Sequence, residues 1–230
     1  MWGRAQVRLV IVRHGDTEWT VDGRFTGTTD VGLTDLGRHQ AASLTGLLQD
    51  VLHGERPVLV SSPRRRATDT AALALPAFHL AVAPRVAEYD YGDFEGLTTD
   101  QIRERAPGWD IWRDRCPHGE STDDVGRGAD AFLRDHLDNG AQPVVVVTHG
   151  HSSRIVAAQA LGLAPEPGRL FASATASVSL IEDHHGERCV GLWNADVALL
   201  AAETGDVADP TGHPGRPAPD RVAAATGALT

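Results

Sequence analysis

Apolar residues in this chain come in short unbroken runs separated by polar stretches. The first run, Leu9-Val10-Ile11-Val12, meets Arg13, His14 and Gly15 without transition. Such a run suits a strand buried on both faces, as in a parallel sheet covered by helices. The most apolar run, Val144-Val145-Val146-Val147, predicts a central parallel strand and ends in Thr148-His149-Gly150-His151. Between the two, the pattern changes to helical spacing. Thr34-Asp35 reads as a helix start, with Ala41, Leu44, Leu48, Val51 and Leu52 on one face. A second strand is expected over 57–60. Ser62-Pro63 then reads as an N-cap and first helical position for a helix over 64–75. A third strand over 79–83 is placed at an edge, because Pro84 follows it. A short helix is expected over 100–105, one from Ser121 or Thr122, and one over 152–161. Residues 177–181 and 189–193 read as a late hairpin.

Strands alternating with helices predict an α/β fold: a three-layer α/β/α sandwich with a mostly parallel central sheet. Residues 16–34, rich in Gly, Thr and Asp, read as a long loop of the kind that carries function. Trp109 and Trp112 read as satellite core packing. From residue 201 onward there is no apolar periodicity. The domain is therefore placed at 1–200, and 201–230 is read as a mobile low-complexity tail.

Composition narrows the function. The net charge of −10 argues against a nucleic-acid partner, so any anion site must be a local arginine pocket. All 21 basic residues are arginine, which removes P-loop, kinase-lysine and Schiff-base chemistry. Two cysteines, Cys116 and Cys189, make neither a disulfide framework nor a Cys-rich zinc site. The N-terminus runs almost directly into the first strand, without a long apolar segment. The expectation is a cytoplasmic protein with no membrane partner. An exposed sheet edge or the late hairpin could pair two copies, so a homodimer is possible.

In parallel sheets, ligands bind beyond the carboxyl ends of the strands. If the two most apolar strands are neighbours, His14 and His149 face each other across one crevice. A phosphate monoester would suit it. Arg13 supplies a fork, and the helix after Pro63 offers Arg64, Arg65 and Arg66 near its N-terminus. Successive helix positions diverge by about 100°, so only one of the three can aim into the crevice. Asp69 is at hand as a partner for the others. No metal set is expected: His149 and His151 point apart, and no acids cluster beside them. His184-His185 reads as a solvated turn. Attack on phosphorus by a neutral histidine nitrogen fits better, and it needs an acid for the leaving oxygen. Glu88 is a candidate, desolvated by neighbouring aromatics. Asp90, Asp93 and Glu95 are equally acidic alternatives.

The segment from Leu9 to Trp19, with Arg13-His14-Gly15 at its centre, resembles the signature of the histidine phosphatase superfamily. Three further segments come in the family's order: 61–71, whose phosphate arginine matches Arg66; 88–96, whose proton donor matches Glu88; and 146–150, with the second histidine at His149. The resemblance implies the phosphoglycerate mutase-like fold. It also implies a phosphohistidine at His14, a phosphoryl group held by Arg13, Arg66 and His149, proton transfer by Glu88, and no metal or cofactor. Within the family, residues 24–30, 109–116, 119–121 and 149–154 resemble sedoheptulose-1,7-bisphosphatase and small bacterial acid phosphatases. Mutases grip phosphoglycerate with a lysine-bearing insertion, and this chain has no lysine. The implied partner is a small-molecule phosphomonoester, a sugar phosphate or bisphosphate. The alternatives are phosphoglycerate mutase-type transfer or a non-catalytic phosphate sensor. By analogy Thr26, Gly27 and Tyr91 line the substrate pocket. Thr20 stands where the family often has asparagine, and its hydroxyl is expected to donate to phosphate.

Overall fold

A computed structural model describes residues 6–138 and 142–196 of the chain. The expected tail, 201–230, lies outside the described residues. Six strands form one mixed sheet in the order β3-β2-β4-β1-β5-β6. The strands are β1 (Gln6–Arg13), β2 (Val58–Ser61), β3 (Leu80–Val82), β4 (Val144–Thr148), β5 (Ser177–His184) and β6 (Glu187–Asp196). β1, β2, β3 and β4 pair in parallel, while β5 and β6 form an antiparallel hairpin on the β1 side.

The apolar runs explain the layers. Successive side chains of a strand point to opposite faces. Leu9 and Ile11 pack with Val144, Val146, Phe132 and Ile155, whereas Val10 and Val12 pack with Val145, Val147, Leu44 and Leu48. Helices α5 (Thr122–Leu133) and α6 (Gly150–Ala160) therefore cover one face, and α2 (Asp35–Leu52) and α3 (Arg65–Ala74) the other. Both faces of β1 and β4 are closed, so polar groups can emerge only at the strand ends. Trp109 and Trp112 pack half-buried against the α5–α6 side, as expected.

Four boundaries differ from the sequence pattern. The long loop contains a helical turn, α1 (Glu18–Val21), closed by a capping box between Thr17 and Thr20. Threonine replaces the usual Glu or Gln at the fourth place of that box, which hides it from a pattern search. Helix α3 begins at Arg65: Ser62 Oγ accepts from Arg64 N at 3.3 Å as well as from His149, and Asp30 Oδ1 accepts from Arg65 N at 2.7 Å. Helix α6 begins at Gly150 rather than 152, which makes His149 its N-cap. The hairpin strands run to Asp196, longer than expected. A short helix, α4 (Thr99–Arg105), falls where predicted.

Candidate active site

β1 and β4 are adjacent and parallel, with Arg13 opposite Thr148 in register. His14 N then donates to Thr148 O at 3.0 Å, carrying the pairing one residue past the strand end. This places the rings of His14 and His149 5.1 Å apart, edge to face. The crevice expected between two like strand ends is present.

His14 is almost fully buried, and its Nδ1 lies 2.7 Å from the Gly15 carbonyl oxygen. Burial first, then the nearby charges of Arg66 and Arg13, hold its pKa well below the ordinary histidine value. The ring is thus neutral. A carbonyl only accepts, so the proton sits on Nδ1 and Nε2 keeps its lone pair. Gly15 has no room for a side chain: a Cβ would stand 2.4 Å from the Gly37 carbonyl oxygen. Gly15 is packed tightly against helix α2.

Of the arginine triple, Arg66 alone is fully buried, as helical phase requires. Its Nη2 donates to Thr26 O (2.8 Å) and Gly27 O (3.3 Å), its Nη1 to Thr29 O (3.0 Å), and its Nε to His149 Nδ1 (3.2 Å). Arg65 pairs with Asp69 at the surface. Since Arg66 gives a proton to Nδ1, His149 carries its own on Nε2 and donates it to Ser62 Oγ at 2.7 Å. Burial, then Arg66, keeps this second imidazole neutral too.

Arg13 bonds the Ser173 carbonyl through Nη1, and its buried Nε has no protein partner. Glu88 is also buried. Its carboxylate accepts from the backbone N–H of His151 and Ser152, each at 3.0 Å, and contacts Ser152 Oγ at 2.8 Å. The N-terminus of α6 therefore fixes this carboxylate. The competing acids are engaged elsewhere. Asp90 binds Gly92 N, Asp93 contacts His118, and Glu95 accepts from Gly27 N and Thr29 N.

A cavity of about 180 Å³ opens onto this group. Arg13, His14, Thr20, Thr26, Glu88 and Tyr91 line it, joined by Arg24, Phe25, Gly150, His151 and Arg154. Arg66 and His149 are fully buried next to His14 and are not on the cavity wall. Gly27 is not on the wall either. Its carbonyl faces Arg66, and a Cβ there would lie 2.0 Å from Tyr89 O, so it shapes the loop. Thr20 is on the wall, but its hydroxyl gives its proton to Thr17 O (2.9 Å) and accepts from Thr17 N (2.8 Å). The helical cap, not the cavity, claims that proton.

Sequence reasoning missed His151 and Arg154. His151 Nδ1 shares a hydrogen bond of 2.7 Å with the Tyr91 hydroxyl. Arg154 donates from Nε to Gly150 O at 2.9 Å and lies over the Trp112 ring. The i to i+4 spacing from Gly150, on a helix starting at a strand end, was the available signal. Among the described residues, no three His, Cys, Asp or Glu side chains gather as a metal site. No helix there is long and apolar enough to cross a membrane.

The profile of the histidine phosphatase superfamily (branch 1) matches residues 9–196, which contain every group above. This chain belongs to that superfamily. An acid phosphatase of Mycobacterium tuberculosis is 44% identical over 182 residues, covering 79% of this chain and 89% of the relative. Sedoheptulose 1,7-bisphosphatase of Saccharomyces cerevisiae is 33% identical, covering 68% of each chain. A solved mycobacterial glucosyl-3-phosphoglycerate phosphatase, in complex with VO3, superposes with a TM-score of 0.71. It is 33% identical, with 83% of this chain and all of that one covered. The α/β/α sandwich expected from the sequence is thus the fold of this superfamily.

The neutral imidazoles of His14 and His149, together with His151, have a consequence for stability. Below about pH 6.5 the unfolded chain protonates all three while the folded chain resists. The unfolded state then binds more protons, so stability falls as pH falls. Each histidine contributes up to about 1.4 kcal/mol per pH unit. Urea midpoints measured at pH 7.5 and 5.5 should therefore drop on acidification, and the drop should shrink in His149→Asn. Equal midpoints at the two pH values would contradict the assignment of neutral rings.

Proposed function

We propose that this superfamily member is a phosphomonoesterase that carries the phosphoryl group on His14 Nε2. The observation carrying this reading is the His14 imidazole itself. It is neutral, its Nδ1–H is fixed on Gly15 O, and its free nitrogen is set among Arg13, Arg66 and His149. In the first step Nε2 forms a bond to phosphorus as the ester P–O bond breaks, and Glu88 delivers a proton to the leaving oxygen. In the second, Glu88 takes a proton from water as the water oxygen attacks phosphorus and the P–N bond breaks. Arg13 offers its unpartnered Nε–H to the transferring oxygens. Arg66 and His149, beside His14, complete the set that holds the transferring group. Preorganised positive charge of this kind is the main lever in phosphoryl transfer.

A small phosphorylated metabolite, a sugar phosphate or bisphosphate, is the favoured substrate. Arg24, His151 and Arg154 give the leaving-group side of the cavity a cationic and hydrogen-bonding wall. The names of the relatives support sugar-derived esters. Phosphoglycerate mutase-type transfer is less well supported, because the chain has no lysine to grip phosphoglycerate.

The test is a panel of sugar phosphates, sugar bisphosphates, nucleotides and phosphoglycerates, with released phosphate measured with and without EDTA. Sugar esters should be hydrolysed best and EDTA should change nothing. Brief reaction with a ³²P-labelled substrate and an alkaline quench should leave an acid-labile, alkali-stable label on the protein. Loss of activity in EDTA, or label absent during turnover, would overturn the proposal. In the same panel Arg154→Ala should raise KM for sugar bisphosphates by about tenfold, the loss of one charged hydrogen bond. An unchanged KM would remove Arg154 from the substrate wall.

A further inference from the structure

One buried hydroxyl connects the nucleophile to the helix that carries Arg66. Thr70 lies on α3, one turn after Arg66, and is fully buried. Its hydroxyl donates to Arg66 O at 2.7 Å. A hydroxyl has one proton, so toward Gly15 N, 3.1 Å away, Thr70 Oγ1 can only accept. Gly15 is therefore held at its N–H by Thr70. Its carbonyl is the acceptor that fixes His14 Nδ1–H. The same residue is pressed on its other side by the Gly37 carbonyl of α2. Gly15 is thus clamped between two helices, and its orientation sets the direction of the imidazole.

The geometry points to Thr70 as a positioning residue for the His14 nucleophile, acting through Gly15. This rests on the phosphohistidine reading above. Thr70 is fully buried and not on the cavity wall, so its effect falls on the step in which Nε2 attacks. The neighbouring side chains on that face of α3, Ala67 and Ala71, cannot replace the acceptor. A branched Cβ holds the hydroxyl in few rotamers, which suits a fixed two-way bond. Because the hydroxyl also binds Arg66 O, nucleophile and phosphate arginine share one mechanical reference.

The test uses Thr70→Val, which keeps shape and removes the hydroxyl, and Thr70→Ser, which restores it. With p-nitrophenyl phosphate, Thr70→Val should lower kcat about tenfold to a hundredfold, the scale of a misaligned attacking atom. KM and inhibition by orthovanadate should stay within about twofold, since neither Arg13 nor Arg66 loses a side-chain bond. Thr70→Ser should recover most of the loss. A second arm does not need turnover. The His14 Nδ1–H proton, observed by ¹⁵N-edited NMR, should be sharp in the parent and in Thr70→Ser, and broadened or shifted in Thr70→Val. A kcat within twofold of the parent in Thr70→Val, equal losses in Val and Ser, or an unchanged Nδ1–H signal would each overturn the positioning role. If the parent forms no phosphoenzyme, the proposed function fails, and the NMR comparison still decides for or against the Thr70–Gly15–His14 linkage.

Discussion

Replacing His14 by alanine will abolish phosphatase turnover, with a loss of at least about four orders of magnitude, the scale seen when a covalent nucleophile is removed. No neighbouring group can take over. His149 has both ring nitrogens bonded, to Arg66 Nε and Ser62 Oγ. His151 is tied to Tyr91. Both imidazoles are also fixed by the N-terminal turn of α6, so neither can swing to the His14 position. The variant should fold, because Arg66, Glu88 and the Gly15 clamp keep their own bonds. Hydrolysis of p-nitrophenyl phosphate, phosphoenzyme labelling and near-ultraviolet circular dichroism on one preparation check all three points. Residual turnover above about a hundredth of the parent rate, with folding intact, would mean that another atom attacks phosphorus.

The second large effect is expected at Arg66, and it falls on stability as well as catalysis. Four hydrogen bonds leave this one buried guanidinium for Thr26 O, Gly27 O, Thr29 O and His149 Nδ1. Alanine would leave three carbonyls and one ring nitrogen without donors and open a cavity where a large side chain was. Each buried unmet acceptor costs about 1–3 kcal/mol before relaxation. Partial solvation of the loop recovers some of this, so a net loss of about 3–5 kcal/mol is expected. Lysine is a poor substitute. One ammonium on a flexible stem cannot reproduce a planar fork reaching three carbonyls in different directions. Arg66→Lys should therefore fall nearer to alanine than to the parent, both in urea midpoint and in orthovanadate affinity. A parent-like midpoint for Arg66→Ala would show that the 26–29 loop does not depend on it.

The strands that frame the site were readable because burial on both faces leaves little choice of residue. Leu9 to Val12 and Val144 to Val147 must be apolar throughout, and both end where water begins. The family motifs identified Glu88, but spacing alone could not separate it from Asp90, Asp93 and Glu95. What distinguishes it is a long-range contact, the first N–H groups of α6, which lie 63 and 64 residues away in sequence. The start of α3 was misplaced for a similar reason. The Ser62 hydroxyl does accept from Arg64 N at 3.3 Å, but it also receives His149, the N-cap of α6, 87 residues on. Thr20, expected to donate to phosphate, lines the cavity while its hydroxyl also closes the α1 cap with Thr17. His151 and Arg154 escaped notice because their partners, Tyr91 and Trp112, come from a stretch with little regular structure.

The docking of Glu88 on α6 has an architectural consequence. Its carboxylate is anchored mainly by the first turn of α6, with Tyr89 N as a further donor at 3.3 Å. The excursion from Tyr89 to Glu120, which carries Tyr91, Trp109 and Trp112, is tied to the rest of the site: Tyr89 N reaches Glu88, and Glu95 holds Gly27 N and Thr29 N. Redesign of substrate preference there has to keep Glu95 and work together with Arg24 and Arg154, which line the same cavity from outside the excursion.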